Sequence, residues 1–240
     1  MLLTVNVGNS MVSFGVFEGL ELRRSGSLPR REMSLLAERV GPVKLARIVA
    51  GSVAPSTNDQ LSTVLAMSYG LPVHFAGTDL PWRIEIQCDE PGKVGADRLL
   101  NAIAGFARTG RETVIADVGT AVTVDLVSRS GAFRGGTIAP GPATMARALS
   151  QNTELLPDVP PGRPDSPIGR NTQDAIRSGV FWGTVGLVET LIARVKEQAA
   201  SDTPVLLTGG AAVAVLSELH QPIQHIPALT LEGLARIALR

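Results

Sequence analysis

Alternating hydrophobic and polar positions at the start of the chain predict three short β-strands. The pattern covers residues 2–7, 12–17 and 21–25, and the pairs Gly8-Asn9 and Glu18-Gly19 between them are typical of tight turns. We therefore expect the chain to open with a three-strand meander.

The same opening pattern returns about 110 residues further along the chain. Strand patterns at residues 113–117, 122–127 and 132–138 are separated by turns at Gly119-Thr120 and residues 128–131. A second three-strand meander is therefore predicted in the second half of the chain.

The two openings also align residue by residue. Residues 6–10 (Asn-Val-Gly-Asn-Ser) match residues 117–121 (Asp-Val-Gly-Thr-Ala). Matching hairpins that each open a mixture of strands and helices indicate a duplicated α/β fold. We expect two lobes, residues 1–110 and 111–240, with a ligand between them.

Helical periodicity and short apolar runs predict the remaining elements. Residues 157–170 are rich in Pro, Gly and Asp and are predicted to be a loop. The helix at 172–198 carries more apolar residues than one lobe needs, so it lies either at an interface or inside the second lobe. The other predicted helices are 32–40, 58–69, 145–151, 211–220 and 231–239, and the other strands are 46–50, 73–75 and 205–207.

Composition argues against several classes of function. The chain has 240 residues, 44% of them hydrophobic, and its formal net charge is zero, which argues against a nucleic-acid partner or an anionic membrane surface. No apolar stretch is long enough to span a membrane, and the N-terminus lacks the basic residues of a signal peptide. The single cysteine, Cys88, fits a reducing, cytoplasmic location.

The two glycine turns are candidates for phosphate binding. A glycine between two strands lets backbone N–H groups approach a phosphate closely, and Asn9, Ser10 and Thr120 add side-chain donors beside Gly8 and Gly119. Ordinary hairpins use the same residues, but a matched pair that opens both lobes favours phosphate binding.

Two carboxylates are candidates for the chemistry. Asp97 stands beside Arg98 in the first turn of an amphipathic helix. It is either a general base next to a residue that neutralises phosphate or substrate charge, or a carboxylate that stabilises the helix dipole. Asp117 ends the apolar run at 114–116, where a buried carboxylate needs a partner, so we expect it to bind a cation.

Together these segments resemble the type III pantothenate kinases along nearly the whole chain. Five blocks in one order make the resemblance specific, although any one of them would be weak. It implies a duplicated ribonuclease H-like (actin-like) fold of the sugar-kinase superfamily. The blocks are Asn6-x-Gly-Asn-Ser10 for the family's Asp-x-Gly-Asn-Thr, Gly95-Ala-Asp-Arg98, Asp117-x-Gly-Thr-Ala-x-Thr-x-Asp125, Gly135-Gly-x-Ile-x-Pro-Gly141, and Ile168-Gly-Arg-Asn-Thr172 followed by Ala175-Ile-x-x-Gly179.

The resemblance implies transfer of the γ-phosphate of Mg-ATP to pantothenate, the first step of coenzyme A biosynthesis. Asp97 would take the proton from the pantothenate hydroxyl, and Asp117 would bind a monovalent cation, K⁺ or NH4⁺. Thr172 would reach pantothenate across a homodimer interface. The residues implied to bind the ATP phosphates are Asn6, Val7, Gly8, Asn9, Ser10, Met11, Val12, Ser13 and Thr120, and those implied to bind pantothenate are Gly95, Ala96, Asp97, Arg98, Thr172 and Cys88.

Three positions depart from the family's pattern. Asn6 replaces an aspartate that helps to organise metal and phosphates, Met11 replaces a polar residue, and Cys88 replaces a tyrosine that contacts pantothenate. Because Asn6 lacks a negative charge, the alternative to an active kinase is a nucleotide- or pantothenate-binding regulatory protein with little catalysis. A sugar kinase of the same superfamily fits the five blocks less well.

Overall fold

The computed structural model describes residues 1–239 and divides into two compact units. Each unit contains one five-stranded sheet. The first unit comprises Met1–Gly110, Gly131–Phe133 and the segment from Ala228 onward, and the second comprises Arg111–Ser130 and Arg134–Pro227.

Strands and α-helices alternate through most of the described chain, as the sequence predicts for an α/β protein. The strands are β1 (Leu2–Val7), β2 (Met11–Glu18), β3 (Glu21–Pro29), β4 (Arg47–Ser52), β5 (Val73–Phe75), β6 (Thr113–Val118), β7 (Ala121–Val127), β8 (Phe133–Pro140), β9 (Val205–Thr208) and β10 (Gln224–His225). The helices are α1 (Leu36–Val40), α2 (Asn58–Tyr69), α3 (Ala96–Thr109), α4 (Pro142–Gln151), α5 (Thr172–Lys196), α6 (Ala212–Leu216) and α7 (Leu229–Ala238).

The two sheets have the same topology. The first has the order β3-β2-β1-β4-β5, and the second, read from its β8 edge, has the corresponding order β8-β7-β6-β9-β10. In each, the opening strand pairs antiparallel with the next strand and parallel with the fourth. The repeated meander predicted from the hairpin alignment is therefore confirmed, and so is the duplicated α/β fold.

Helices cover both faces of the first sheet. α1 and α2 pack on one face, where Leu61 and Leu65 join the side chains of the central strands. α3 and α7 pack on the other, where Leu100 and Leu234 meet Phe17. Buried on both faces, β1 and β4 carry nearly continuous apolar sequences.

The C-terminal helix α7 belongs to the first unit, whereas the lobe boundary drawn from the sequence assigns its residues to the second. Its apolar face is buried against α3 and the first sheet. Two polar contacts fix the packing: Arg108 forms a bidentate ion pair with Glu232, and the Thr230 hydroxyl donates to Asn101 Oδ1 at 2.7 Å. Burial of long-range apolar partners, which is not visible in local sequence, decides this placement.

Two predicted helices are shorter than their sequence patterns suggest. The pattern at 32–40 begins as a 3₁₀ turn, Arg30–Leu35, in which Glu32 has non-helical dihedral angles, and only Leu36–Val40 is α-helical. The pattern at 211–220 yields α6 over five residues, after which the backbone turns through i→i+3 hydrogen bonds.

The long helix α5 resolves the alternative left open for it. Phe181, Val185, Val188 and Ile192 are all buried inside the second unit, so their apolar surface is used within the subunit. The other face of α5 is open to solvent and consists largely of small residues. The exposed residues of α5 are Thr172, Gln173, Ala175, Gly179, Trp182, Gly183, Gly186, Thr190, Ala193 and Arg194.

Candidate active site

The turn between β1 and β2 has the compact geometry expected of a phosphate-binding hairpin. The backbone N–H of Gly8 donates to the carbonyl of Met11 at 2.9 Å and closes the turn. Asn9, Ser10 and Met11 are exposed at its tip. Val7 and Val12, which flank the turn, are buried in the sheet and hold it in place.

Asn6 lies at the carboxyl end of β1, where it pairs with Ser13 on β2 and Gly51 on β4. Its Oδ1 atom is buried and has no hydrogen-bond partner among the described residues. An unpaired buried acceptor is costly unless a donor from outside the chain satisfies it. An amide oxygen can coordinate Mg²⁺ or accept a hydrogen bond from a magnesium-bound water, so this residue fits a metal-nucleotide complex.

The Gly95–Arg98 block begins helix α3. Gly95 precedes the first helical residue, and a Cβ at this position would come within 2.8 Å of Asp97 Oδ1, so glycine allows the carboxylate to fold back over the helix start. Ala96 is buried beneath it. Asp97 Oδ1 accepts a hydrogen bond from the backbone N–H of Arg98 at 2.8 Å.

The electrostatic environment of Asp97 suits a proton acceptor. Burial raises the pKa of Asp97 above its usual range, and the Arg98 N–H and guanidinium oppose this shift only in part. A carboxylate whose only role was to stabilise the helix dipole would do so best in its ionised form. The direction of the shift therefore favours the general-base interpretation over the purely structural one.

Arg98 has an aromatic neighbour that the sequence analysis did not identify. Its guanidinium carbon lies 5.3 Å from the centroid of the Phe133 ring, and Phe133 is completely buried. Phe133 also pairs through its backbone with the segment 85–87, which leads directly to half-buried Cys88. No local pattern around Phe133 distinguishes it from an ordinary core aromatic residue.

The hairpin between β6 and β7 in the second unit also closes on a glycine N–H, but it is one residue shorter than the first: Val118 pairs with Val122, whereas Val7 pairs with Val12. The N–H of Gly119 donates to the carbonyl of Ala121 at 2.9 Å. The carbonyl of Thr120 accepts from the Gly141 N–H at 3.0 Å and from the Thr144 hydroxyl at 2.6 Å, so the start of α4 holds this turn. The side chain of Thr120 is exposed.

Asp117 occupies the position in β6 that Asn6 occupies in β1. It is half-buried at the end of the strand, in register with Thr123 on β7 and Thr208 on β9. A carboxylate flanked by threonine-bearing strand ends offers oxygen ligands of the kind that hard cations prefer. Among the described residues, no group of three or more His, Cys, Asp or Glu side chains forms a metal site.

Thr172 lies at the rim of an open groove in the second unit. Asn171 caps helix α5 by accepting a 2.9 Å hydrogen bond from the Asp174 N–H, so Thr172 is the first helical residue and is exposed. The groove has a volume of about 860 Å³ and is apolar apart from this rim. Its lining includes Met145, Leu149, Leu156, Ile176 and Val180, with Arg170, Asn171 and Thr172 at the polar end.

The predicted site residues thus form separate groups in the two units. The first unit contains the residues from Asn6 to Ser13, the Gly95–Arg98 block and Cys88, and the second contains Asp117, Thr120 and Thr172. Within the first unit, Asn6 and α3 converge on Gly51, whose added Cβ would lie 3.7 Å from Asn6 Oδ1 and 2.7 Å from a methyl carbon of Leu100.

Comparison with solved structures identifies the class of fold. A ROK family glucokinase from Streptomyces griseus, solved with glucose and AMPPNP, superimposes with a TM-score of 0.55 at 11% identity, and 98% of each chain is covered. A structure described as a Baf family transcriptional activator from Campylobacter jejuni gives a TM-score of 0.60 at 21% identity, covering 98% of this chain and 96% of that chain. Such identities establish a shared fold alone.

Sequence comparison identifies the family within that class. The sequence model of the protein family described as type III pantothenate kinase matches residues 2–194 of this chain. The type III pantothenate kinase of Acidiphilium cryptum is 37% identical over 253 aligned positions, which cover 100% of this chain and 95% of that protein. The chain belongs to the type III pantothenate kinase family.

Proposed function

We propose that this protein transfers the γ-phosphate of ATP to pantothenate and forms 4′-phosphopantothenate, the first step of coenzyme A biosynthesis. Family membership supports this activity. The observation that carries it is the start of α3, where Asp97 is a carboxylate of raised pKa beside Arg98. Nothing in the comparisons favours the alternative of a non-catalytic binding protein.

Asp97 is the general base of the proposed reaction. The hydroxyl of pantothenate loses its proton to the Asp97 carboxylate as its oxygen bonds to the γ-phosphorus. The bond from that phosphorus to the β–γ bridging oxygen breaks, and ADP leaves with the electron pair. Burial of Asp97 disfavours its charged form and so makes it a stronger base, as this step requires.

Each glycine turn is a phosphate-binding element of its own unit. Backbone N–H groups at the exposed tip of the first turn, with the Asn9 and Ser10 side chains, hold phosphate oxygens of ATP. In the second unit, the exposed Thr120 hydroxyl is the corresponding phosphate ligand. Magnesium, when bound, neutralises charge on the phosphates during transfer. The Oδ1 atom of Asn6, which has no hydrogen-bond partner among the described residues, can accept a hydrogen bond from a metal-bound water.

Asp117 holds a monovalent cation, K⁺ or NH4⁺, at the end of β6. Its carboxylate supplies a hard oxygen ligand at the half-buried end of the strand. The neighbouring strand ends carry Thr123 and Thr208, whose oxygens suit a large, weakly hydrated cation.

The active assembly is a homodimer in the cytoplasm. The exposed face of α5 carries three glycines, and no atom outside the local backbone lies within 4 Å of an added Cβ at any of them, so a second helix can approach closely. Trp182, 39% exposed, and Leu149 at the nearby groove add apolar surface. In this assembly Thr172 contacts the pantothenate bound by the partner.

No helix among residues 1–239 combines the length and apolarity required to cross a membrane.

One experiment tests the proposed activity directly. The protein is incubated with ATP, Mg²⁺, K⁺ and pantothenate, and the products are analysed by mass spectrometry. We expect 4′-phosphopantothenate and ADP in equal amounts. Production of ADP without phosphopantothenate would point to another acceptor, and binding of ATP with no ADP formed would support the regulatory alternative.

A further inference from the structure

Phe133 occupies an unusual place in the chain. The segment Gly131–Phe133, which ends on the first residue of β8, belongs to the first unit, although the segments on both sides of it in sequence belong to the second. Phe133 is fully buried there, and its ring lies under the guanidinium of Arg98 at 5.3 Å. The aromatic ring therefore contacts a residue at the start of helix α3.

Several contacts fix Phe133 itself. Its N–H donates to the carbonyl of Glu85 and its carbonyl accepts from the N–H of Gln87, both at 2.8 Å, so both of its backbone polar groups are bonded to one segment. Gly131 has a φ of +84°, and a Cβ there would lie 2.8 Å from the Phe106 ring, so the turn also rests on α3 two helical turns beyond Arg98. A ring anchored in this way is a rigid surface for the guanidinium.

A ring restrains a guanidinium differently from a carboxylate. A guanidinium that lies over an aromatic face keeps its positive charge, and the ring limits the orientations that the guanidinium can adopt. A planar donor group whose orientation is fixed can bind an anionic, oxygen-rich ligand with less loss of side-chain entropy. Pantothenate carries a carboxylate and several oxygen acceptors.

We propose that Phe133 is a positioning residue for pantothenate recognition, and that its ring orients the Arg98 guanidinium towards the substrate. The backbone of Phe133 is hydrogen-bonded to Glu85 and Gln87, in the segment that leads to Cys88. Phe133 therefore contacts both segments that carry candidate pantothenate-binding residues, the start of α3 and the segment before Cys88. This inference rests on the proposed function, since it takes Arg98 as a pantothenate contact.

The test replaces the ring and keeps its apolar volume. Phe133→Leu retains the backbone hydrogen bonds to Glu85 and Gln87 but removes the aromatic face. We expect the Kd and KM for pantothenate to rise by about 3- to 30-fold, the range that a buried cation–π contact supplies, while the KM for ATP changes less than about twofold. The control is Phe14→Leu, since Phe14 is also buried in the first unit but packs on the α1–α2 face.

A double-mutant cycle separates positioning from simple loss of stability. Pantothenate binding is measured by calorimetry for Phe133→Leu, Arg98→Ala and the combined variant. If Phe133 acts through Arg98, Phe133→Leu has less than about a twofold effect once Arg98 is alanine. Additive effects, or equal losses of pantothenate affinity in Phe133→Leu and Phe14→Leu, would overturn the inference while leaving the kinase activity intact. A wild-type protein that binds no pantothenate would overturn both.

Discussion

The carboxylate of Asp97 accepts a 2.8 Å hydrogen bond from the backbone N–H of Arg98, the next residue along helix α3. That bond and the Arg98 guanidinium favour the ionised carboxylate, but burial outweighs them and raises the pKa of Asp97. The protein therefore holds a partly desolvated carboxylate close to a positive charge. This combination suits a base that takes a proton from an uncharged hydroxyl beside an anionic phosphate.

The first prediction concerns catalysis by Asp97. Asp97→Asn keeps the shape and the oxygen that accepts from Arg98 but removes the base, so we expect turnover to fall by about 10²-fold or more with the fold retained. The control is Asp59→Asn, because Asp59 lies in the first turn of α2 and tests the effect of losing a helix-start charge. Equal turnover of Asp97→Asn and wild type, at matched circular dichroism, would remove Asp97 from the mechanism.

The second prediction concerns stability and pH. Burial raises the pKa of Asp97 in the folded state. The contribution of the protonated Asp97 carboxyl to the free energy of unfolding is therefore fully present below the pKa of the unfolded chain and is lost as pH rises through the pKa of the folded protein. Asp97→Asn should therefore melt at a higher temperature than wild type at pH 7.5, and the difference should shrink towards pH 4. Thermal melts across this pH range measure it. A variant that is less stable than wild type at pH 7.5 would contradict the assigned direction.

The hairpin repeat was predictable because its signals are local. The turns at Gly8-Asn9 and Gly119-Thr120 lie between alternating strands, and that pattern specifies a meander without reference to the rest of the chain. The start of α3 was equally visible, since Gly95 and Asp97 stand at the head of an amphipathic helix. Whether Asp97 is a base or a helix-capping charge depended on its burial, which the sequence alone does not give.

The parts that escaped prediction depend on contacts between distant segments. α7 joins α3 because Leu234 and Leu100 bury each other, although they are far apart in sequence. Phe133 reaches Arg98 because the backbone pairs with residues 85–87. The choice between an interface and a buried position for α5 also depended on such contacts: Val188 and Ile192 are core residues of their own subunit, and the exposed glycines are the better candidates for an interface.

The third prediction concerns the monovalent cation. If Asp117 binds K⁺ or NH4⁺, activity should be high in potassium or ammonium chloride and fall sharply in sodium chloride at constant ionic strength, because a smaller, more strongly hydrated ion fits the same oxygens less well. Asp117→Asn should be slow in all three salts. Steady-state rates in the three salts measure this. Identical wild-type rates in potassium and sodium would rule out a potassium-selective site.

The fourth prediction concerns assembly. Gly183 lies on the exposed face of α5, and a side chain there meets nothing within its own subunit. Gly183→Glu should therefore leave the subunit folded, with slightly better helix propensity, yet place a charge in the proposed interface. We expect a dimer for wild type, a monomer for this variant, and loss of pantothenate phosphorylation because Thr172 no longer reaches the partner's substrate.

Light scattering at micromolar concentration, combined with activity assays, measures the change in assembly. Gly183→Ala is the control, since a methyl group adds helix propensity with little bulk. A wild-type monomer with full activity would refute both the dimer and the shared site.

The last prediction concerns Asn6, where the chain departs from its family's aspartate. Its Oδ1 is buried without a hydrogen-bond partner among residues 1–239, so the backbone already shapes a position for an acceptor oxygen. Asn6→Asp adds a charge at nearly constant shape. Phosphoryl transfer depends mainly on positioning and charge stabilisation, so we expect turnover to rise by about 10²-fold, the low end of what one such electrostatic group contributes. Pantothenate affinity should change little, because its proposed contacts lie at the Gly95–Arg98 block, Cys88 and Thr172.

Asn58→Asp is the matched control for this change. Asn58 also has a buried, unpartnered Oδ1 in the first unit, but it begins α2, which covers the face of the sheet opposite α3. The same added charge there should not accelerate transfer. Kinetics of wild type and both variants across magnesium concentrations separate the two effects, because only Asn6→Asp should lower the magnesium needed for half-maximal rate. If Asn6→Asp leaves turnover unchanged or lowers it, Asn6 is not a weakened metal anchor, and the metal must be organised by other oxygens.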